Sequence, residues 1–406
     1  MNIALAVLFF MVLLLLAVLA EPLAERIRVP FSAVLVVIGF VGSEVLVAAG
    51  FDTGVRWENF HELIFYVFLP ALIFDAAFRL DFRSLLKDLI PIVLLAVPFM
   101  VLAAAITAVI VYYGIAHPSG FPWIAALITG ALLSATDPVS VLALLKTTKA
   151  PERLNILLEG ESLFNDATAI VLFSILIALV LSPGEATSWQ GAVGEFLLVC
   201  FGGLACGALI GALAYALMAA FRQPVIKGLI TVLLAYFAYL IAEVLLQVSG
   251  VMAVLAAGLT LGEMKRRRGE SGEWRFVEDL WEFAGYIANA LIFLLAGVTI
   301  TVVMFTSHWL AMLIGIVAVL IARVVVVFGL LGPMSRLPGM KAIPLSHQVV
   351  LTWGGVRGAV TLALALSLPL ALDPWFTIQS IAYGVVLFTL FVQSTTIRLV
   401  IRKLAP

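Results

Sequence analysis

Long apolar runs with almost no charge are the feature that most limits how this chain can fold. Hydrophobic residues occupy 64% of the 406 positions, charged residues occupy 12%, and the mean hydropathy is +1.20. A soluble domain needs more polar surface to cover its core, whereas a bilayer accepts apolar side chains on the outside of helices. We therefore interpret the chain as an all-α polytopic membrane protein.

A bilayer core about 30 Å thick requires about 20 apolar residues per helix. Cutting the sequence at its charged and Pro/Gly-rich interruptions gives thirteen predicted spans: 3 to 20, 30 to 50, 60 to 78, 88 to 113, 121 to 145, 156 to 181, 192 to 220, 225 to 247, 250 to 263, 278 to 302, 308 to 330, 345 to 370 and 376 to 398. The first run lacks a basic segment before it, so we interpret it as an uncleaved span rather than a signal peptide. The division between the eighth and ninth spans rests only on the turn-forming residues Gln247, Ser249 and Gly250.

Basic residues are segregated between the two sets of loops. Twenty of the 23 Lys and Arg residues fall in one alternating set, the opposite set contains only Arg56, and Arg323 and Arg357 lie inside spans. By the positive-inside rule, the amino terminus is outside and the carboxyl terminus is cytoplasmic, in the cell (inner) membrane.

Composition also limits the partners and the energy source. A net charge of -1 and a pI of about 6.4 provide no basic face for nucleic acid. The sequence contains no GxxxxGK[ST] phosphate loop, so we expect no ATP and no cofactor. Cys200 and Cys206 lie on different faces of one apolar helix, which indicates core packing rather than a disulfide.

The fifth span contains a break signal at mid-membrane. Pro138 follows Asp137, lacks an amide hydrogen and clashes with the carbonyl of Ser134, so we expect the helix to break at Thr136 and Asp137. Irregular backbone at that depth lines a cavity or is buried in protein, and its freed carbonyls can bind a cation. The alternative is a proline kink with a capping Asp.

The sixth span has a polar face, which we expect to lie against that break. At 100° per residue Glu161, Asn165 and Thr168 form one column, and Ser162 and Asp166 form the neighbouring column. Carboxylate, hydroxyl and amide oxygens are the ligands that a hard cation prefers. Polar contacts between packed helices are the alternative, but they do not require two carboxylates.

The twelfth span resembles a second broken helix, because Gly354, Gly355 and Gly358 surround Arg357. Gly355 lies 218 residues after Asp137, and the same shift moves the sixth span onto the thirteenth. An odd number of spans separates these partners, so they run in opposite directions. This pattern predicts two inverted six-helix repeats, with broken helices in spans 5 and 12.

Further ionisable residues lie inside predicted spans, where each one needs an explanation. We expect Arg323 to pair with Glu161, because an unpaired buried charge is costly. Asp75 is either an acid at the mouth of the site or the end residue of a span, and we interpret Glu243 and Glu44 as packing or interface acids.

Three motifs in chain order resemble the NhaP/NHE-type cation:proton antiporters: SATDPV at 134–139, ESLFND at 161–166 and GGVRGAV at 354–360. The resemblance covers essentially the whole chain. It implies thirteen spans, a homodimer, and a core domain that moves against a dimer domain. The implied division is 1–87 (dimer-domain helices 1 to 3), 88–185 (core helices 4 to 6), 186–302 (linking helix 7 and dimer-domain helices 8 to 10) and 303–406 (core helices 11 to 13).

The resemblance also implies roles for individual residues. Asp166 would carry the cation and the proton in turn, next to the neutral Asn165. The further Na⁺ ligands would be Asp137, Ser162 and Thr136, supported by the Glu161–Arg323 ion pair, with Asp75 and Arg357 around the site. An Asn-Asp pair in this family accompanies electroneutral one-for-one exchange.

Two departures from the family limit this transfer. Asp75 stands where many relatives have Glu, and many relatives carry a long cytoplasmic tail after the last span, whereas this sequence ends at Pro406.

A mechanism follows from competition for one carboxylate. Removal from water favours the protonated form of Asp166, so we expect it to bind and release H⁺ near physiological pH. If Na⁺ and H⁺ compete for Asp166, and only the occupied site crosses the membrane, exchange requires no further coupling device.

Alternatives remain open within and outside this class. The sequence does not separate Na⁺ or Li⁺ exchange from K⁺/H⁺ exchange, because selectivity depends on cavity dimensions. A cation channel or a sensor is a different class, but it would not explain the inverted repeat. An intramembrane protease would need a buried Ser-His pair or two catalytic aspartates, whereas the four histidines, His61, His117, His308 and His347, lie in or beside predicted loops.

Overall fold

The computed structural model describes residues 3–27, 29–48, 60–115, 120–147, 151–181, 189–268, 274–336 and 340–404. Most of these residues are helical, and no β-strand occurs among them. Within this described part, nine helices are long and apolar enough to cross a membrane by length and composition. The predicted all-α class is therefore confirmed.

The α-helices are numbered here in chain order. They are α1 (Ile3–Ile27), α2 (Phe31–Ala48), α3 (Phe60–Leu63), α4 (Leu69–Arg79), α5 (Phe82–Lys87), α6 (Leu89–Ala96), α7 (Pro98–Gly114), α8 (Trp123–Ser134), α9 (Val139–Thr147), α10 (Glu152–Leu181), α11 (Trp189–Met218), α12 (Pro224–Leu240), α13 (Gly250–Arg268), α14 (Arg275–Thr299), α15 (Val302–Val324), α16 (Gly332–Met334), α17 (Leu345–Trp353), α18 (Ala359–Leu366), α19 (Trp375–Phe388) and α20 (Ser394–Leu404). Four π-helical segments continue them: Ile64–Phe68, Ile241–Leu245, Val325–Leu331 and Thr389–Gln393.

A tight turn lies where the sequence separates the eighth predicted span from the ninth. The π-helical segment Ile241–Leu245 ends just before it, and α13 begins at Gly250. Gln247 in this turn has a positive φ of 53°. Such a φ is uncommon for a residue with a side chain, so the chain reverses here through a strained position.

Large apolar side chains cover much of the outside of the bundle. Leu8 and Leu15 of α1 and Leu209 and Leu213 of α11 each expose more than half of their surface. In water, patches of this kind would favour association. In a bilayer they contact lipid, so their exposure agrees with the apolar composition of the chain.

A stripe of glycines allows α11 to pack closely on α13. Gly203, Gly207 and Gly211 recur every four residues and therefore share one face of α11. A Cβ atom at Gly207 would overlap the carbonyl of Ala253, and one at Gly211 would lie 3.0 Å from the carbonyl oxygen of Ala257. Small residues at this spacing let two helix backbones approach each other within a membrane.

We expect Gly207→Val to destabilise the protein, because its side chain would overlap the α13 backbone. Overpacking of this kind costs about 1–3 kcal/mol. Thermal unfolding in detergent measures the effect. Gly194→Val is the matched control, because Gly194 also lies on α11 and a Cβ there would meet nothing within 4 Å. Equal melting temperatures for the two variants would contradict the proposed packing role.

The functional region lies between the two interrupted helices, α8–α9 and α17–α18. α10 packs against α8, α9 and α18, and α14 packs against α2, α4 and α18. α10 therefore contacts both interrupted helices, and α14 contacts the second one.

Candidate functional site

The first interruption separates α8 from α9 at residues 135–138. Its cause is local, since Pro138 cannot donate to a helical hydrogen bond and disfavours a helical conformation at Asp137. Ala135 is extended, with φ -58° and ψ 136°. The structure thus breaks the helix at the position predicted from the sequence.

The second interruption, at residues 354–358, lies against the first. It contains Gly354, Gly355 and Gly358, which make a poor helix interior. The backbone N–H of Asp137 donates to the carbonyl oxygen of Val356 over 2.7 Å. A backbone hydrogen bond therefore joins the two breaks directly.

The Asp137 carboxylate caps two helices at once. Its Oδ1 accepts the backbone N–H of Val139 at 3.2 Å, and its Oδ2 accepts that of Ala359 at 3.4 Å. These donors begin α9 and α18, whose amino-terminal ends carry partial positive charge. A Cβ atom at Gly358 would overlap the Asp137 side chain, so a larger residue there would displace the capping carboxylate. Asp137 therefore acts as a helix cap, but at a break of four non-helical residues rather than at a proline kink, and it also caps a second helix.

Two arginines satisfy the opposite helix ends. Arg357 Nε donates to the carbonyl oxygen of Leu133 near the end of α8, at 2.7 Å. Arg323 donates through Nη2 to the carbonyl oxygen of Leu351 near the end of α17, at 2.8 Å. The last carbonyls of a helix lack intrahelical partners and carry partial negative charge. The positively charged side chains of Arg357 and Arg323 thus lie at the carboxyl-terminal ends of α8 and α17.

Arg323 and Glu161 form a buried ion pair. Arg323 donates to both carboxylate oxygens of Glu161, the Nη2–Oε2 contact being 2.9 Å. Both residues are buried, Glu161 with 1% of its surface exposed. The structure therefore brings together the two residues that the sequence analysis paired.

The polar face of α10 supplies partners for the first interruption. Ser162 Oγ donates to the carbonyl of Thr136 at 2.6 Å, and Asn165 Nδ2 donates to the carbonyl of Ser134 at 2.9 Å. Thr168 instead donates to Phe164 within its own helix at 2.7 Å. The expected contact between this face and the break therefore involves Ser162 and Asn165 but no hydrogen bond from Thr168.

Buried oxygens remain without donors beside these contacts. Asp166 Oδ1 and Asn165 Oδ1 are buried and accept no hydrogen bond from the part of the chain that the structure describes. Buried polar atoms normally have partners, because desolvation without one is costly. Unsatisfied oxygens of this type fit a site that binds a cation or a proton.

A cavity of about 370 Å³ gives access to this region, and Asp137, Ser162 and Asp166 line it. Asp75 also lines it, while Arg79 Nε donates to Asp75 Oδ1 at 2.6 Å. Asp75 therefore combines both interpretations given above, since it faces the cavity and pairs with a basic residue at the end of its own helix.

α14 contributes cavity-lining residues that the sequence analysis missed: Glu282, Tyr286 and Asn289. The signal that would have found Asn289 is an amide inside an otherwise apolar run. Glu243, by contrast, accepts the backbone N–H of Gly250 at 2.8 Å, which agrees with a packing role.

This geometry defines a class of protein. Two interrupted helices meet within an apolar bundle, and charged residues compensate their ends. The buried carboxylate of Asp166, one of whose oxygens has no donor among the described residues, lines a cavity. Secondary transporters with discontinuous membrane helices have this arrangement.

Comparison with known proteins supports the same class. Residues 11–403 match the family model described as "Sodium/hydrogen exchanger, transmembrane". The Na⁺/H⁺ antiporter ApNhaP of Aphanothece halophytica is 38% identical over 379 residues, which cover 93% of this chain and 70% of that protein. The Na⁺/H⁺ antiporter NhaP of Pseudomonas aeruginosa is 34% identical over 359 residues, covering 86% and 83%. The chain belongs to the sodium/hydrogen exchanger family, whose members are secondary transporters rather than enzymes.

A solved structure shows the same fold. The sodium proton antiporter MjNhaP1 from Methanocaldococcus jannaschii superposes with a TM-score of 0.80 and 20% identity. The match covers 97% of this chain and 100% of that one.

Proposed function

We propose that this protein is a secondary active antiporter that exchanges Na⁺, and also Li⁺, for H⁺. The observation that carries the proposal is the unsatisfied carboxylate oxygen of Asp166 on a cavity between two interrupted helices. A buried carboxylate can hold either a proton or a cation, and its desolvation makes the unoccupied charged state unfavourable. Family membership supports the same activity.

Asp166 is the shared carrier in this proposal, and Asp137, Ser162 and Thr136 complete the Na⁺ site. An ionised carboxylate has about four lone-pair positions. The two N–H groups that cap Asp137 therefore leave acceptor capacity for a cation. Asn165 adds an oxygen without adding charge. The Asn-Asp pair of the family that this chain resembles accompanies electroneutral exchange, so the proposed stoichiometry is one Na⁺ for one H⁺.

The architecture proposed for transport has thirteen spans in two inverted six-helix repeats plus one linking helix. The contact between two interrupted helices whose motifs lie 218 residues apart supports the repeat. Alternating access would be a movement of the core helices, 88–185 and 303–406, against the dimer-domain helices within 1–87 and 186–302. The lipid bilayer and a second copy of the chain are the proposed partners.

The proposed topology places the amino terminus outside and the carboxyl terminus in the cytoplasm of the cell (inner) membrane. The segregation of basic residues supports it. The cavity mouth near Asp75 and Glu282 is then cytoplasmic.

Reconstituted liposomes test the function. We expect NaCl and LiCl to dissipate an imposed pH gradient, as reported by a fluorescent dye, while choline chloride does not. A potential-sensitive dye in the same liposomes should remain unchanged during exchange, because the charges balance. Dissipation of the pH gradient on addition of KCl would indicate the alternative activity, K⁺/H⁺ exchange. Folded protein that responds to no cation would overturn the antiporter proposal in favour of the channel or sensor.

A further inference from the structure

One face of α14 is polar and follows the cavity from its mouth inward. Glu282, Gly285, Tyr286 and Asn289 are spaced by three, one and three residues, which places them on one side of the helix, and all four line the cavity of about 370 Å³. With a rise of 1.5 Å per residue, Asn289 lies about 10 Å along the axis from Glu282. The polar face therefore extends from the mouth towards the depth of the interrupted helices.

The mouth end of this face is occupied by charge pairs. Arg79 contacts Glu282 at 3.3 Å as well as Asp75, and a Cβ atom at Gly285 would lie 2.9 Å from Asp75 Oδ2. The missing side chain at Gly285 thus leaves room for the Asp75 carboxylate against α14.

Asn289, at the deep end, differs from these residues. Its Oδ1 atom is buried and accepts no hydrogen bond from any residue that the structure describes. It lines the cavity of about 370 Å³ that reaches Asp166, and it also lines an adjoining cavity of about 220 Å³. Asp137 lines both cavities too. A buried amide oxygen without a donor is costly unless something binds to it.

We propose that the amide oxygen of Asn289 is a ligand for the transported cation as it moves between the cavity mouth and Asp166. The inference rests on the proposed function. It adds a cation ligand from α14 to the ligands already proposed on the first interrupted helix and on α10. An amide oxygen suits a hard monovalent cation that is losing water. Because the amide is neutral, it binds the ion without adding a charge that would retain it.

Alanine at this position separates a cation ligand from a structural residue. We expect Asn289→Ala to raise the half-maximal Na⁺ concentration by about fivefold, the loss expected for one ligand. The maximal rate should stay within about twofold, since Asp166 is intact. Asn289→Asp retains the oxygen, so its half-maximal concentration should stay at or below that of the unmodified protein.

Proton competition provides the decisive readout. If Asn289 binds Na⁺ and not H⁺, alanine multiplies the half-maximal concentration by the same factor at every pH. If it acts by changing proton binding at Asp166, that factor varies with pH. Asn155→Ala is the matched control, because Asn155 also has a buried amide oxygen without a donor among the described residues but does not line either cavity.

The experiment measures dye-reported exchange against Na⁺ concentration at two pH values in liposomes. An equal rise at both pH values in Asn289→Ala, with Asn155→Ala within about twofold of the unmodified protein, supports the proposal. Any of three results for Asn289→Ala overturns it. The half-maximal Na⁺ concentration could be unchanged, its increase could differ between the two pH values, or only the maximal rate could fall. Should the alanine variant fail to fold, a large rise in Asn289→Asp would overturn it. An unmodified protein that exchanges no cation would overturn the proposed function itself, and this inference with it.

Discussion

Replacing Asp166 by asparagine is expected to abolish Na⁺-dependent H⁺ exchange, lowering the rate at least about 100-fold. The amide has nearly the size of the carboxyl group, but it neither binds a proton reversibly nor supplies a negative charge to Na⁺. Both halves of the exchange therefore lose the same group. Packing should be retained. The substitution replaces one carboxylate oxygen by an NH₂ group, and the Oδ1 atom of Asp166 has no hydrogen-bond donor to lose in the described part of the chain.

Dissipation of a pH gradient in liposomes measures this loss, with melting temperature and insertion checked in parallel. Asp279→Asn is the matched control, since it makes the same chemical change at an exposed position on α14. Exchange retained in Asp166→Asn would rule out Asp166 as the carrier, whatever its effect on stability.

Removing one partner of the Glu161–Arg323 pair is expected to give the largest loss of stability. Glu161→Gln leaves the Arg323 guanidinium buried opposite a neutral amide, and arginine cannot escape by losing its proton. Breaking a buried pair in this way costs about 3–5 kcal/mol. Because Arg323 also caps α17 through Leu351, the second interrupted helix should loosen as well.

Thermal unfolding in detergent reports this effect. The double variant Glu161→Leu/Arg323→Met should recover part of the loss, since it leaves no unpaired charge. Arg267→Ala is the control, because its pair with Glu263 is exposed on the arginine side and is worth about 0–1 kcal/mol. A Glu161→Gln variant as stable as Arg267→Ala would show that the buried pair does not stabilise the fold.

Much of the site was accessible from the sequence because its causes are local. A proline in a helix interior removes a hydrogen bond and clashes with the preceding turn, which favours a break before Pro138. The helical period alone puts Ser162 and Asp166 beside each other on α10. The pairing of Arg323 with Glu161 followed from the high energy of an isolated buried charge. Each of these arguments needs only neighbouring residues or the properties of lipid.

The remaining features depend on contacts that no local pattern encodes. Arg357 was placed around the site, but its partner, the Leu133 carbonyl, lies 224 residues away and is a backbone atom without a sequence signature. The second capping contact of Asp137 has the same origin, because Ala359 offers only its amide. Asn289 has a local signal, an amide in an otherwise apolar run, but that signal does not show that the side chain lines a cavity, which depends on how α14 packs.

The shared cap at Asp137 also has a consequence for how the protein is made. The carboxylate and the end of α8 obtain their full set of partners only when Arg357 and Ala359, more than two hundred residues later, have been synthesised. At about 5–20 residues per second, this interval is roughly 10–45 seconds. During that time the first half of the chain carries an incompletely compensated charge in or near the membrane. The contact between the two interrupted helices therefore forms late in biogenesis. Slow synthesis of the second half of the chain would prolong the period in which the first half is vulnerable to quality-control proteases.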